Sequence, residues 1–116
     1  MRTKKVSIPI YYGTLVIIVS DDYKEVVRKY KIKTKKNVEL YGAFVYSRID
    51  KNGFPEYLVC IDEDISNHLL AHECVHLTNE IFLHTGTKLD RKNDEPQALL
   101  TGWCFKEIDK FLKNEK

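Results

Sequence analysis

The pentapeptide His72-Glu73-Cys74-Val75-His76, an H-E-x-x-H sequence in an apolar stretch, restricts the possible fold more than any other feature of the chain. Residues four apart on an α-helix lie on the same face, so the two imidazoles can converge on one metal ion. Glu73 would stand about 100° further round the helix, within reach of a water on that ion. This arrangement predicts a zinc site formed by His72 and His76, with Glu73 as its general base.

The motif requires a helix, and its flanking residues predict one. Ser66 is a good N-cap and Gly86 a good C′ residue, and the roughly twenty residues between them make five to six turns. At 100° per residue, one arc is apolar: Leu70, Ala71, Cys74, Val75, Leu77, Ile81 and Phe82. The other side carries His72, Glu73, His76 and Glu80, together with Leu69 and Leu83. Because more than half of the circumference is apolar, we expect the helix to be buried, and a metal would provide partners for its histidines and glutamates.

The rest of the chain predicts one α+β domain covering residues 1–116. Alternation and β-branched runs predict strands at residues 5–11, 14–20, 39–49 and 57–61, with the second buried on both faces. Residues 50–53 form a hairpin turn, and a short helix follows Asp21 and Asp22. A final helix begins near residues 93–96, where a proline suits the first turn.

The composition excludes some functions. A net charge of +2 is too small to indicate nucleic-acid binding by itself. Residues 24–36 contain seven basic residues, which we interpret as a solvated surface, leaving a phosphate-binding patch as the weakest alternative.

Three cysteines without a C-x-x-C spacing suggest free thiols and therefore a cytoplasmic protein. The largely apolar residues 6–20 superficially resemble a signal peptide. Pro9 and Gly13 interrupt this run, which is also too short to span a bilayer, so we interpret it as part of the fold and expect no membrane association.

A catalytic zinc needs a third protein ligand, and we expect it from an element other than the motif helix. Glu95 lies nineteen residues after His76, in the first turn of a helix that can fold back antiparallel on the motif helix. Asp94 and Asp90 are alternatives. His84 is less suited because it follows closely on the same helix.

These residues resemble those of a gluzincin-type zinc metallopeptidase. The sequences His-Glu-Cys-Val-His and Asn-Asp-Glu-Pro-Gln-Ala are similar to those of minimal zincin-like proteins encoded by phages and mobile elements. The resemblance covers roughly the last two thirds of the chain and is specific only over these two motifs. It implies zinc ligation by His72, His76 and Glu95, with Glu73 as general base.

The resemblance also implies a zincin-like fold: a small, twisted, mostly antiparallel sheet with an active-site helix and a C-terminal helix. The strand around Tyr41 to Tyr46 would be the sheet edge that pairs with an extended peptide substrate by β-augmentation.

The chain departs from the larger families at several positions. The metzincin continuation would require Gly at 79 and His at 82, where this chain has Asn79 and Phe82. Larger gluzincins place an Asp four residues after the ligand Glu, and here that residue is Leu99. The sequence assigns no oxyanion-stabilising residue. Candidates for that role are Tyr41, Tyr46, Tyr57 and His84.

The sequence therefore predicts zinc-dependent peptide-bond hydrolysis, with Glu73 accepting a proton from water activated by the zinc. The alternative is a catalytically inactive zinc-binding zincin-like module that acts through protein–protein interaction at its edge strand.

Overall fold

The computed structural model describes residues 1–33 and 43–114. Within them the chain forms four strands and three helices, so the predicted α+β class is confirmed. The strands are β1 (Arg2–Ser7), β2 (Thr14–Val19), β3 (Ala43–Ile49) and β4 (Pro55–Ile61). The helices are α1 (Tyr23–Lys29), α2 (Asn67–Thr85) and α3 (Glu95–Leu112). No helix in these residues is both long enough and apolar enough to cross a membrane.

The strands form one mixed sheet in the order β1-β2-β4-β3. β1 pairs with β2, and β3 with β4, in antiparallel fashion, whereas the central strands β2 and β4 run parallel. The expectation of a mostly antiparallel sheet is correct for two of these three pairings. The parallel pair was not predicted. Both central strands are buried along nearly their whole length, as the β-branched run at residues 14–20 indicated.

The first strand lies earlier in the chain than predicted, since β1 covers Arg2–Ser7 and not residues 5–11. The chain turns after Ile8 because Pro9 has no N–H to donate to a strand ladder. Ile10 then lies at the tip of the turn with φ of 67° and is 99% exposed. The apolar alternation that suggested a longer strand therefore ends at Ile8, which is buried.

The third strand is described from Ala43, so residues 39–42 of its predicted range lie outside the described residues. The hairpin turn that follows is confirmed. Asp50 Oδ1 accepts hydrogen bonds from the N–H groups of Asn52 and Phe54 at 2.8 and 2.9 Å. Gly53 adopts a positive φ of 84°, the conformation for which an Asn-Gly pair is suited.

Two clusters of buried side chains lie on opposite faces of the sheet. The larger packs the sheet against α2 and α3 and includes Leu15, Ile17, Tyr57, Val59, Leu70, Cys74, Leu77, Ile81, Leu100, Cys104 and Ile108. The smaller lies on the α1 side and includes Val16, Ile18, Tyr23, Val26, Leu58 and Cys60. Each fully buried Leu or Ile contributes about 1.5–3 kcal/mol to stability, so the larger cluster is the main support of α2.

The motif helix begins and ends at the predicted residues. Ser66 Oγ accepts a hydrogen bond from the Leu69 N–H at 3.3 Å, which caps the first turn of α2. Gly86 adopts a left-handed φ of 71° at the other end. The Thr87 N–H then donates to the Phe82 carbonyl at 2.9 Å, the backbone bond of a Schellman motif.

The prediction that α2 is enclosed by other elements is wrong. Ala71 is exposed and Val75 is 43% exposed, so part of the predicted apolar arc faces solvent. The reason is that α2 packs against the sheet on one side and α3 on a second, which leaves its remaining side open. The buried arc of α2 is therefore narrower than the predicted apolar arc, and Leu70, Cys74, Leu77 and Ile81 lie along it.

α3 packs antiparallel against α2, as expected. The hydroxyls of Thr78 and Thr101 lie 2.8 Å apart where the two helices meet. One turn before Thr78 on α2 and one turn after Thr101 on α3, Cys74 lies close enough to Cys104 to contribute, after burial, to raising the pKa of the Cys104 thiol to about 12. From the first contact to the second, the residue number falls on α2 and rises on α3, so the two helices are antiparallel.

Candidate metal centre

The histidine pair converges as the spacing predicted. The Nε2 atoms of His72 and His76 lie 3.0 Å apart, and the ring centroids are 4.6 Å apart with the planes near perpendicular. Both residues are exposed. Two ring nitrogens that face one point from adjacent helical turns form one side of a metal-ligand set.

The separation of the two nitrogens fits a shared zinc ion. Zinc–nitrogen bonds of about 2.0–2.1 Å at a tetrahedral angle would place two ligand nitrogens about 3.3 Å apart. The observed 3.0 Å needs only a small rotation of either ring. The same distance suits an N–H···N hydrogen bond between neutral imidazoles, whose proton a metal would displace on binding. The two rings are thus preorganised for a cation.

Glu73 lies beside this pair and is buried, with only 5% of the residue exposed. Burial raises the pKa of the Glu73 carboxyl above its usual range, and the nearby imidazoles of His76 and His72 partly offset that rise. A buried carboxyl with a raised pKa accepts a proton more readily than an exposed one. The local environment therefore favours the role of general base that the motif predicted for Glu73.

The side of α2 that carries the histidines continues towards β3. His72, His76, Glu80 and His84 form one i, i+4 row along the helix. The Ser47 hydroxyl on β3 donates to Glu80 Oε2 at 2.9 Å and lies 3.1 Å from His84 Nε2. The histidine pair therefore opens on the side of the edge strand, away from α3.

Glu95 lies at the first residue of α3 and is exposed. Thr101 of α3 is level with Thr78 of α2, where the two helices meet. Glu95 precedes Thr101 by six residues, so in an antiparallel pair it is level with a position six residues after Thr78. His76 lies two residues before Thr78. With a rise of 1.5 Å per residue and antiparallel helices, Glu95 and His76 are separated by about 12 Å along the helix axes. Thr78 also lies about 160° round α2 from His76. Glu95 would have to move towards the middle of α2 to join the pair.

The remaining ligand candidates are also exposed. Asp94 is the N-cap residue of α3 but makes no side-chain capping bond. Asp90 Oδ1 accepts a hydrogen bond from the Lys92 N–H in the loop before it. Across residues 1–33 and 43–114, no group of three or more His, Cys, Asp or Glu side chains is arranged to hold a metal. The structure thus brings together His72, Glu73 and His76, and the third ligand stays a prediction.

The candidate oxyanion-stabilising residues occupy different places. Tyr41 lies outside the described residues. Tyr46 packs into the α1-side cluster, on the opposite face of the sheet from α2, and its hydroxyl accepts a hydrogen bond from the Lys33 N–H. Tyr57 and His84 are on the α2 side, with ring centroids 5.6 Å apart in an edge-to-face contact.

Ser47 was not singled out in the sequence, because a serine in a strand carries no signal of its own. Glu80 was grouped with the histidines on one side of the motif helix, but no role was assigned to it. The four-residue spacing from His72 extends the same row to His84.

The edge position expected for the third strand agrees with the structure. β3 is an outer strand of the described sheet and pairs there with β4. Comparison of the chain with protein-family models, curated proteins and solved structures gave no match.

Proposed function

We propose that this chain is a small zinc-dependent peptidase of the zincin-like type, with His72 and His76 as metal ligands, Glu73 as general base and Glu95, which would have to move towards the pair, as the predicted third ligand. The observation that carries the proposal is the 3.0 Å approach of the two histidine Nε2 atoms beside a buried glutamate. Two neutral imidazoles and a carboxylate form a ligand set common to catalytic zinc sites.

Bound zinc supplies Lewis-acid activation of a water molecule and of the scissile carbonyl. Glu73 accepts a proton from the attacking water and later donates it to the amine nitrogen as the carbon–nitrogen bond breaks. Because burial raises the pKa of its carboxyl, Glu73 can hold that proton between the two steps. His72 and His76 would hold the zinc through the two Nε2 atoms that converge on α2.

The edge strand provides a place for an extended substrate. Because β3 is an outer strand of the described sheet, its outer side would offer backbone groups for an added strand to pair with, and α2 contacts both β3 and β4. A peptide paired there would run alongside the histidine pair, which is what endopeptidase cleavage requires.

The test compares zinc-loaded wild type with Glu73→Gln on a mixture of unstructured peptides. Removal of the general base is expected to lower kcat/KM by about 10²–10⁴-fold, while elemental mass spectrometry finds equal zinc in both proteins because the substitution leaves the histidines intact. Glu107→Gln, the same change on α3, serves as the control and should cleave like wild type. Cleavage by Glu73→Gln at the wild-type rate would contradict the mechanism.

A second candidate is a zinc-binding module that holds a partner protein at β3 without cleaving it, and the edge position of β3 favours it. In that case Glu73→Gln leaves partner binding intact. Ile49→Lys, which places a charge on an exposed position of β3, should weaken it because edge lysines oppose strand addition. No cleavage by the zinc-loaded wild type, together with partner capture that Ile49→Lys abolishes, would favour this module over the peptidase.

A further inference from the structure

A cluster of polar side chains lies one to two turns along α2 from the histidine pair. Ser47, Glu80 and His84 contact one another, with the Glu80 carboxylate 3.9 Å from His84 Nε2. The Glu80 side chain is 39% exposed, and within the described part of the chain no lysine or arginine forms an ion pair with it. Glu80 thus presents a carboxylate that is open to a further partner.

Tyr57 forms the inner wall of this cluster. It pairs with Ser47 across β4 and β3, so both side chains point to the α2 face. Its hydroxyl is buried and has no hydrogen-bond partner among the described residues. The nearby Glu80 carboxylate contributes, after burial, to raising the pKa of Tyr57 to about 12. A buried hydroxyl without a partner is costly, so a donor that enters beside it gains an acceptor already in place.

The register of the sheet relates this cluster to the histidine pair. α2 begins soon after Ile61, the last residue of β4, and near its end His84 contacts Tyr57, so α2 runs along β3 from Ala43 towards Ser47. Four helical residues rise about 6 Å, and two strand residues span about 6.8 Å. A peptide residue beside Ser47 would therefore lie about two to four residues from the residue beside the histidine pair.

We propose that Ser47, Glu80 and Tyr57, covered by His84, form a specificity pocket for an arginine or lysine side chain of a peptide paired with β3. The inference rests on the proposed function and adds the substrate class to it. A side chain on the α2 face of the added strand would extend past Ser47 to the Glu80 carboxylate. The partly exposed His84 ring would turn outward and bring the Tyr57 hydroxyl within reach of the same cation.

The charge of Glu80 favours a cation over other side chains. An ionised carboxylate only accepts hydrogen bonds, and the one side-chain donor it has within hydrogen-bond distance among the described residues is Ser47. A guanidinium or ammonium group would add charge-assisted bonds at this site.

The experiment measures binding of eight-residue peptides to zinc-loaded Glu73→Gln by fluorescence anisotropy. Arginine is placed at each position in turn of a neutral peptide, and each peptide has a counterpart with citrulline, which has the same shape without the charge. We expect one position where arginine binds about tenfold more tightly, the factor for one charge-assisted hydrogen bond. Adding Glu80→Gln should abolish the preference, and adding Glu107→Gln should leave it.

Each outcome decides the inference. No preferred position, a preference that survives Glu80→Gln, or no peptide binding at all would overturn it. An unchanged preference in Tyr57→Phe would remove Tyr57 from the pocket. If the arginine preference is found but wild type cleaves none of these peptides, the pocket stands and the peptidase proposal fails. If wild type cleaves these peptides but no position prefers arginine, the peptidase proposal stands and the pocket is refuted.

Discussion

Zinc should raise the melting temperature of the protein in proportion to the logarithm of its free concentration, because it binds the folded histidine pair and not the unfolded chain. Once free zinc exceeds the dissociation constant, each tenfold increase stabilises the folded state by about 1.4 kcal/mol. The slope does not depend on the affinity itself, so it can be predicted before that affinity is known.

The size of the shift follows from the length of the chain. With 116 residues and about 2.1 cal/mol/K of unfolding entropy per residue, the unfolding entropy is about 240 cal/mol/K. Dividing about 1.4 kcal/mol by this entropy gives about 6 °C per tenfold increase in free zinc. This value assumes one zinc ion per chain.

The assay is thermal unfolding followed by circular dichroism in zinc buffers that cover three decades of free concentration. His72→Ala should remove the slope. His68→Ala is the matched control, because His68 is an exposed histidine of the same helix that contacts Ser66 and not the pair. Glu95→Ala should shift the curve to higher zinc without changing the slope if Glu95 is the third ligand.

An equal slope in His72→Ala and wild type would refute the reasoning, because the stabilising zinc would then bind elsewhere. A wild-type melting temperature that does not change with zinc would refute it as well. If Glu95→Ala gives the wild-type curve, Asp94 and Asp90 become the ligands to test next.

Four further predictions concern the fold around the site. Burial raises the pKa of three thiols to about 12: Cys60, Cys74 and Cys104. A thiol reagent at pH 8 should therefore modify none of them in the folded protein and all three after unfolding in guanidinium. Gly86→Ala should lower stability by about 1 kcal/mol because φ is positive but the surroundings are open. Gly13→Ala should cost clearly more in urea unfolding, since its Cβ would lie 2.9 Å from both the Pro55 carbonyl and the Tyr57 ring. A double-mutant cycle of Thr78→Val and Thr101→Val should give a coupling of about 1 kcal/mol between α2 and α3, and a coupling near zero would contradict their hydrogen bond.

The sequence predicted correctly those parts of the structure that depend on interactions between residues close together in the chain. Ser66 and Gly86 were correct to the residue because a capping hydroxyl and a left-handed glycine act within a few residues of the helix end. The convergence of His72 and His76 was predictable for the same reason, since both lie on adjacent turns of one helix.

Features that depend on contacts distant in the sequence were not predictable in this way. The parallel pairing of β2 with β4 joins segments about forty residues apart, and neither strand carries a mark of its neighbour. The exposure of Val75 depends on how many elements surround α2, which its own periodicity does not reveal. The contact of Ser47 with Glu80 and His84 likewise follows from the position of β3 beside the helix.

The exposed histidine pair also has a consequence for handling the protein. Two imidazoles that converge on one point at the surface form a natural chelating handle, and copper or nickel immobilised on a resin binds such a nitrogen pair. The untagged chain should therefore be retained on a charged chelating column and be released by imidazole. Copper or nickel that leaches from such a column would compete with zinc for the pair, so zinc content is best measured on protein purified by ion exchange and size exclusion.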